Sequence, residues 1–256
     1  MLRNRRIGCS VSGIAQFITN RGIHELKEWL EAGYDTIQEW DNQYSDWFAV
    51  PNSIKTTSVK PSGTVSLLAG ATPGLHYPES RFYIRRVRLS KHSELLEPLK
   101  KAGYKIEPAF GSEDTTSVVE VPVDVGEGIR TAGELSIWEQ FNIAAFMQRH
   151  WADNQVSCTV TFNPQTEGEQ IPHVLNYFQY HLKGISLLPR HDYGAYPQMP
   201  YESIDEKEYN KQIKKLGKLS FGVIKNEEAE IDKFCNNDSC EVPSFTGDND
   251  DQEYAN

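Results

Sequence analysis

Apolar residues recur along this chain with two periods. In residues 23–47, Leu26, Trp29, Leu30, Tyr34, Ile37 and Trp40 fall near the ~3.6-residue spacing of one helix face, which predicts a long amphipathic helix. Residues 136–151 repeat the pattern in a second amphipathic helix. Shorter helical stretches are read over 94–102, 174–181 and the highly charged 204–216. Strands are predicted over 6–12, 56–59, 82–89, 118–121, 156–162 and 185–188, where β-branched or alternating residues gather. Pro122 has no N–H to give to a ladder, so it is expected to end its strand or to lie at a sheet edge. After Pro61, a helix is expected to begin within 63–68.

Strands spaced by helices predict an α/β architecture with parallel pairing. Five or six strands fit either an open sheet or part of a barrel. No internal repeat is visible, and two parts are expected: a body over residues 1–225 and a tail over 226–256.

Composition sharpens that division. The 256 residues are 38% hydrophobic and 11% aromatic, which suits a chain with a sizeable core. The net charge of −10 belongs almost wholly to the tail, where ten acidic residues face only Lys233. A near-neutral body argues against a general nucleic-acid binder, which needs a basic footprint. No apolar run approaches the ~20 residues of a membrane span. The basic start, Met1-Leu2-Arg3-Asn4-Arg5-Arg6, is not followed by the apolar stretch of a signal peptide. A cytoplasmic location without a membrane partner is the expectation.

Candidate chemistry lies in two places. Lys60-Pro61-Ser62-Gly63-Thr64-Val65-Ser66 follows a strand and precedes an apolar helix start. Gly63 permits close backbone approach, three hydroxyls are at hand, and free N–H groups favour an anion. A phosphate site and an ordinary capped helix start are both compatible with this segment. It is not a Walker loop, which needs Gly-x-x-x-x-Gly-Lys-Ser/Thr. The second place is the tail, where Cys235 and Cys240 lie five positions apart in polar sequence. Two thiols are too few for a zinc site without further ligands, and no metal site is expected. Such a pair suits thiol–disulfide exchange, in which one thiolate attacks a disulfide and its neighbour resolves the mixed species. Cys9 and Cys158 sit in apolar, strand-like runs and are expected to be buried small hydrophobes. His76 is read as a turn residue, and His191 with Asp192 as structural or capping groups.

The run from Lys60 continues through Ala69-Gly70-Ala71-Thr72-Pro73-Gly74-Leu75-His76-Tyr77-Pro78-Glu79-Ser80. This string resembles the substrate-phosphate loop of ribonucleotide reductases, most of all the monomeric, adenosylcobalamin-dependent ribonucleoside-triphosphate reductases. Three more segments agree in order. They are Asn4-Arg5-Arg6-Ile7-Gly8-Cys9-Ser10-Val11-Ser12-Gly13-Ile14-Ala15-Gln16-Phe17, Trp151-Ala152-Asp153-Asn154-Gln155-Val156-Ser157, and the stretch from Leu187 to Glu202 that includes Pro189-Arg190-His191-Asp192-Tyr193-Gly194.

The resemblance implies the C-terminal portion of a ten-stranded α/β barrel, with a flexible acidic tail. It implies that Pro61, Ser62, Gly63, Thr64, Val65 and Ser66 hold a ribonucleoside triphosphate, mostly through backbone N–H groups. Cys235 and Cys240 would re-reduce the active site and be recharged by thioredoxin or a similar dithiol. The adjacent tyrosine pair of the iron-dependent type and the glycyl-radical end of the anaerobic type are not found, so adenosylcobalamin is the expected radical source. Glu241 to Asn256 extend past the cysteine pair, where family members usually end soon after it.

The family also needs a radical cysteine in an Asn-Pro-Cys-type motif and two active-site cysteines, and this sequence contains none of them. The chain therefore reads as one piece of a reductase that assembles with an N-terminal half. The competing readings are an inactive remnant acting as a nucleotide-binding or interaction module, and a self-sufficient thiol oxidoreductase using Cys235 and Cys240.

Overall fold

The structure is a computed structural model that describes residues 5–63, 65–190 and 197–220. Thr64, His191, Asp192, Cys235, Cys240 and the whole of the 226–256 tail lie outside the described residues. In chain order the elements are β1 (Arg6–Ser10), α1 (Ile14–Trp47), β2 (Lys55–Ser58), α2 (Val65–Leu68), β3 (Phe82–Ser90), α3 (Leu96–Lys101), β4 (Lys105–Pro108) and β5 (Thr116–Asp124). There follow α4 (Ile137–His150), β6 (Thr159–Phe162), α5 (Pro164–Glu167), α6 (Ile171–Phe178), β7 (Ser186–Pro189), β8 (Tyr201–Ser203) and α7 (Glu206–Ile213).

Two kinds of sheet are present. β1 pairs with β2 and β6 pairs with β7, both in parallel. A parallel bridge between Val59 and Val156 joins the two pairs edge to edge. The Asn154 amide donates to the Thr57 carbonyl and the Ser157 amide to that of Val59, each at 2.9 Å. The parallel layer therefore runs β1-β2-β6-β7. Its core side is covered by α1, α4 and α6, through Leu26, Leu30, Phe141, Met147, Val174 and Phe178. Val59, Val156 and Val160, buried between helices and sheet, show why β-branched residues gather in these runs.

The second sheet, β4-β5-β3-β8, is antiparallel throughout, which corrects the expectation of parallel pairing alone. Long β3 and β5 lie antiparallel side by side with α3 and β4 in the connection between them, and β4 and β5 form the hairpin. Pro122 lies inside β5 opposite Ile84, while β4 pairs only as far as Lys105 opposite Glu120. The Val125 amide donates to the Arg81 carbonyl, which fixes the alternation and makes Ile84–Pro122 a non-hydrogen-bonded pair. The missing N–H of Pro122 therefore faces past the end of β4, where the strand is locally an edge.

Local rules account for the helices. Ser136 caps α4: its hydroxyl accepts from the Glu139 amide, and the Glu139 carboxylate accepts from the Ser136 amide at 2.9 Å. Helix α1 starts earlier than the periodicity predicts and is broken at Gly22, whose φ of 84° is not helical. The expected helix after Pro61 is the four-residue α2, so Pro61 is not at a first helical position. Among the described residues, no helix is long and apolar enough to cross a membrane.

The two body cysteines differ. Cys158 is buried, but Cys9 is exposed, against the expectation of burial. Strand β1 has no neighbour beyond it among the described residues, so an apolar run there does not ensure cover.

Candidate functional site

The loop after β2 is shaped by backbone constraints at both ends. At its start, the Lys60 amide donates to the Ser10 hydroxyl at 2.9 Å, tying the loop to β1. Ser62 takes a left-handed φ of 57°, unusual for a residue with a Cβ. The Ser66 hydroxyl donates to the Ser62 carbonyl at 2.5 Å. The Ser66 carbonyl in turn accepts the amides of Ala69 at 3.1 Å and Ala71 at 3.0 Å. Ser66 is buried, so its hydroxyl closes the loop and does not face outward. Pro61, Ser62 and Gly63 are partly exposed and Val65 is exposed, so the outer rim of the loop is open to a ligand. Thr64 lies outside the described residues.

The far arm of the loop packs against the near one. Gly74 has a φ of 50°, and a Cβ there would stand 2.6 Å from the Lys60 carbonyl oxygen. Only glycine fits that approach. The Gln16 side chain clamps the same arm, donating to the Gly70 carbonyl at 3.0 Å and accepting from the Thr72 amide at 2.8 Å. The amides of Gly13 and Ile14 donate to the carbonyls of Thr72 and Gly74. The start of α1 is thus a brace for the loop. Behind it, His76 Nε2 accepts the Thr159 amide at 3.3 Å. Burial pushes the imidazole below its usual pKa, against a smaller opposing effect of its backbone bond to Pro73.

One neighbour was not legible from the sequence. The hydroxyl of Tyr201 stands 3.9 Å from where a Cβ on Gly63 would be. β8 brings it there by pairing Tyr201 with Arg85 of β3. The Arg85 guanidinium sits 4.6 Å over the Tyr201 ring, and Tyr83 packs edge-on against that ring at 5.4 Å. Burial, helped by Tyr201, pushes the Tyr83 phenol up to about 12. The antiparallel sheet therefore reaches back to the loop. Its only signal in the sequence is the stretch that ends at Glu202, which Gln198 pins by donating to Glu107 at 2.9 Å and to the Pro108 carbonyl at 2.8 Å.

The 151–157 stretch is a latch along β2, from Thr56 to Val59. The Trp151 indole donates to the Ser58 carbonyl at 2.9 Å. Asp153 accepts the Thr56 amide at 3.1 Å and hydroxyl at 3.0 Å, and the Tyr34 hydroxyl at 3.0 Å. The Asn154 side chain donates to the carbonyls of Ile7 at 3.0 Å and Thr57 at 2.8 Å. These bonds hold β1, β2 and the approach to β6 in register.

Cys158 is buried and its thiol is pushed up to about 12, so it stays a thiol. Among the described residues, no group of three or more His, Cys, Asp and Glu side chains could hold a metal ion. A groove of about 460 Å³ lies elsewhere, lined by Ser203, Ile204, Asp205, Lys207, Glu208 and Lys211.

Comparison with known proteins places this geometry in context. No family model matches the chain. The chain is 56% identical over 245 residues to an adenosylcobalamin-dependent ribonucleoside-triphosphate reductase of Euglena gracilis, covering 94% of the chain and 34% of the relative. It is 55% identical over 248 residues to a probable enzyme of the same name from Dictyostelium discoideum, covering 95% and 33%. Among solved structures, a B12-dependent (class II) ribonucleotide reductase superposes with a TM-score of 0.74 at 35% identity, covering 84% of this chain and 34% of that one. The chain spans about a third of the length of the relatives it matches.

Proposed function

We propose, from the premise that this chain is homologous to one third of the adenosylcobalamin-dependent ribonucleoside-triphosphate reductases, that it forms the C-terminal portion of such an enzyme. In this reading it takes part in converting ribonucleoside triphosphates to deoxyribonucleotides by radical chemistry. The observation that carries it is the loop 60–66 at the end of β2, braced from behind and open along its rim, inside a stretch of 56% identity. The backbone N–H groups of Ser62, Gly63, Thr64 and Val65 would bind the substrate's phosphates, Pro61 and Ser66 would hold the loop's shape, and Tyr201 would border the site at Gly63.

The parallel layer β1-β2-β6-β7 supports the reading of later strands of a ten-stranded barrel. Cys235 and Cys240 would supply the dithiol arm. Oxidation of the pair to a disulfide passes two electrons and two protons to an active-site disulfide, and thioredoxin or a similar dithiol restores it. Adenosylcobalamin would supply the initiating radical. Among the described residues, the groove lined by Ser203, Ile204, Asp205, Lys207, Glu208 and Lys211 shows no feature specific to a corrin ring. The cofactor's contacts would be shared between this chain and the rest of the enzyme.

The test is adenosylcobalamin-dependent reduction of a ribonucleoside triphosphate by the chain alone and by the chain mixed with an N-terminal portion of the reductase. Turnover only in the mixture is expected. Turnover by the chain alone would overturn the assignment of the radical cysteine to another part. No turnover in either case would favour an inactive nucleotide-binding remnant.

A further inference from the structure

Helix α1 carries a second apolar stripe beside the one it buries. Leu26 and Leu30 enter the core, yet Trp29 and Trp47 are each 64% exposed and Trp40 45%. Around Tyr44 the rings pack on one another, with Trp40 at 5.4 Å and Trp47 at 5.5 Å. An exposed aromatic surface of this extent marks an interaction site more often than a solvated face.

The direction of the stripe follows from helix geometry. On one flank, Gln38 donates to the Thr56 hydroxyl of β2 at 2.6 Å, and Glu31 bonds His150 at the end of α4 at 2.8 Å. At ~100° per residue, nine positions turn a side chain by roughly 180°. Trp29 and Trp47 are each nine positions from Gln38, and Trp40 is nine from Glu31. All three tryptophans therefore point away from β2 and α4, toward the side of β1 that has no strand beside it among the described residues.

We propose that this stripe is the docking surface for the next strand-and-helix unit of the reductase. A strand adds in parallel to the free edge of β1, and its amphipathic helix covers Trp29, Trp40 and Trp47. The proposal rests on the reading of this chain as part of a reductase and names the surface through which the remainder joins. Two observations select that occupant. Two thirds of each matched relative has no counterpart in this chain, which is ample for the missing unit. Exposed Glu28, Glu39 and Asp46 form a line beside the tryptophans. A second copy docking through the same stripe would set acid against acid, whereas a helix with a basic border complements it.

The test uses oxidative footprinting of the tryptophans in this chain alone and in a full-length reductase in which it replaces the matching third of the Euglena gracilis relative. Tyr180, 89% exposed on another face, is the reference. Oxidation of Trp29, Trp40 and Trp47 is expected to fall at least ~5-fold in the full-length protein as the side chains become buried, with Tyr180 unchanged. Replacement of both Trp40→Glu and Trp47→Glu is expected to lower the thermal midpoint of the full-length protein and leave that of this chain unchanged. Equal oxidation in a full-length protein that turns over would overturn the docking surface while the reductase reading stands. Protection without turnover would support the surface and count against the reductase reading. Protection in the chain alone that grows with its concentration would assign the stripe to a second copy and overturn the proposal.

Discussion

The backbone amide of Thr159, at the first position of β6, donates to Nε2 of His76, so the turn behind the candidate phosphate loop is tied to the sheet by a neutral imidazole. A protonated imidazole carries hydrogen on both nitrogens and cannot accept this bond. Burial holds the folded pKa below the unfolded value. Between the two pKa values the unfolded chain binds the proton and the folded chain does not, so stability falls as pH falls. The contribution is complete above ~6.5 and is lost on acidification below it. Urea unfolding from pH 8 to 5 should show this loss in the native chain. The His76→Gln variant, whose carbonyl can accept the same amide without titrating, should show a flatter profile. Identical profiles would mean that another group sets the dependence.

Asp153 should be the residue whose loss most loosens the latch between β2 and β6. Partial burial alone would raise its carboxyl, but the Thr56 amide and hydroxyl, Tyr34 and Lys55 together hold it below the ordinary value. Asp153→Asn turns an amino group toward donors and should cost ~1–2 kcal/mol, allowing for its partial exposure. Tyr34→Phe should cost less, at ~1 kcal/mol. The Asp153 contribution is present above the unfolded carboxylate pKa of ~3.9 and disappears as pH falls through the lowered folded value. Denaturation of both variants at pH 7 and pH 3 checks the order and the sign.

These two groups show what a single sequence discloses. Helix α4 and the second part of α1 were legible because their apolar spacing is long and regular, and Ser136 with Glu139 announces a helix start. The loop 60–66 was legible because Pro61, Ser62 and Gly63 stand where a strand must stop. Strands β4 and β8 were not, since four and three residues hold no period and exist only through β5 and β3. Tyr201 beside Gly63 depends on that pairing, so no local pattern could place it. Cys9 misleads for a related reason: its burial depends on what lies beyond β1, not on its own apolar neighbours.

Gly74 and Gly111 make a matched pair for the loop's close approach. Both have left-handed φ values, 50° and 72°, but a Cβ on Gly74 meets the Lys60 carbonyl at 2.6 Å and one on Gly111 meets nothing within 4 Å. Gly111→Ala should cost only the left-handed conformation, ~1–2 kcal/mol. Gly74→Ala adds a clash that must push the loop outward, so it should cost at least ~1 kcal/mol more. It should also weaken binding of a ribonucleoside triphosphate, which Gly111→Ala should leave unchanged. Thermal unfolding and calorimetric titration of the two variants separate strain from clash.

Ser62 allows the phosphate role to be separated from the loop's stability. Its φ of 57° is costly for a side-chain-bearing residue, and its carbonyl already accepts from the Ser66 hydroxyl. Ser62→Gly removes the left-handed penalty but raises the entropy of the unfolded chain, two effects of ~1 kcal/mol that oppose each other. Stability should therefore change by less than ~0.5 kcal/mol. The carbonyl that receives Ser66 is kept, so the loop should hold its shape. If the Ser62 hydroxyl meets a phosphate oxygen, losing that bond should weaken triphosphate binding by ~5–10-fold, equivalent to ~1 kcal/mol. Ser66→Ala should do the reverse, loosening the fold through its lost inward bond and affecting binding only as the loop moves. A Ser62→Gly variant that binds as tightly as the native chain would exclude the Ser62 hydroxyl as a contact with phosphate.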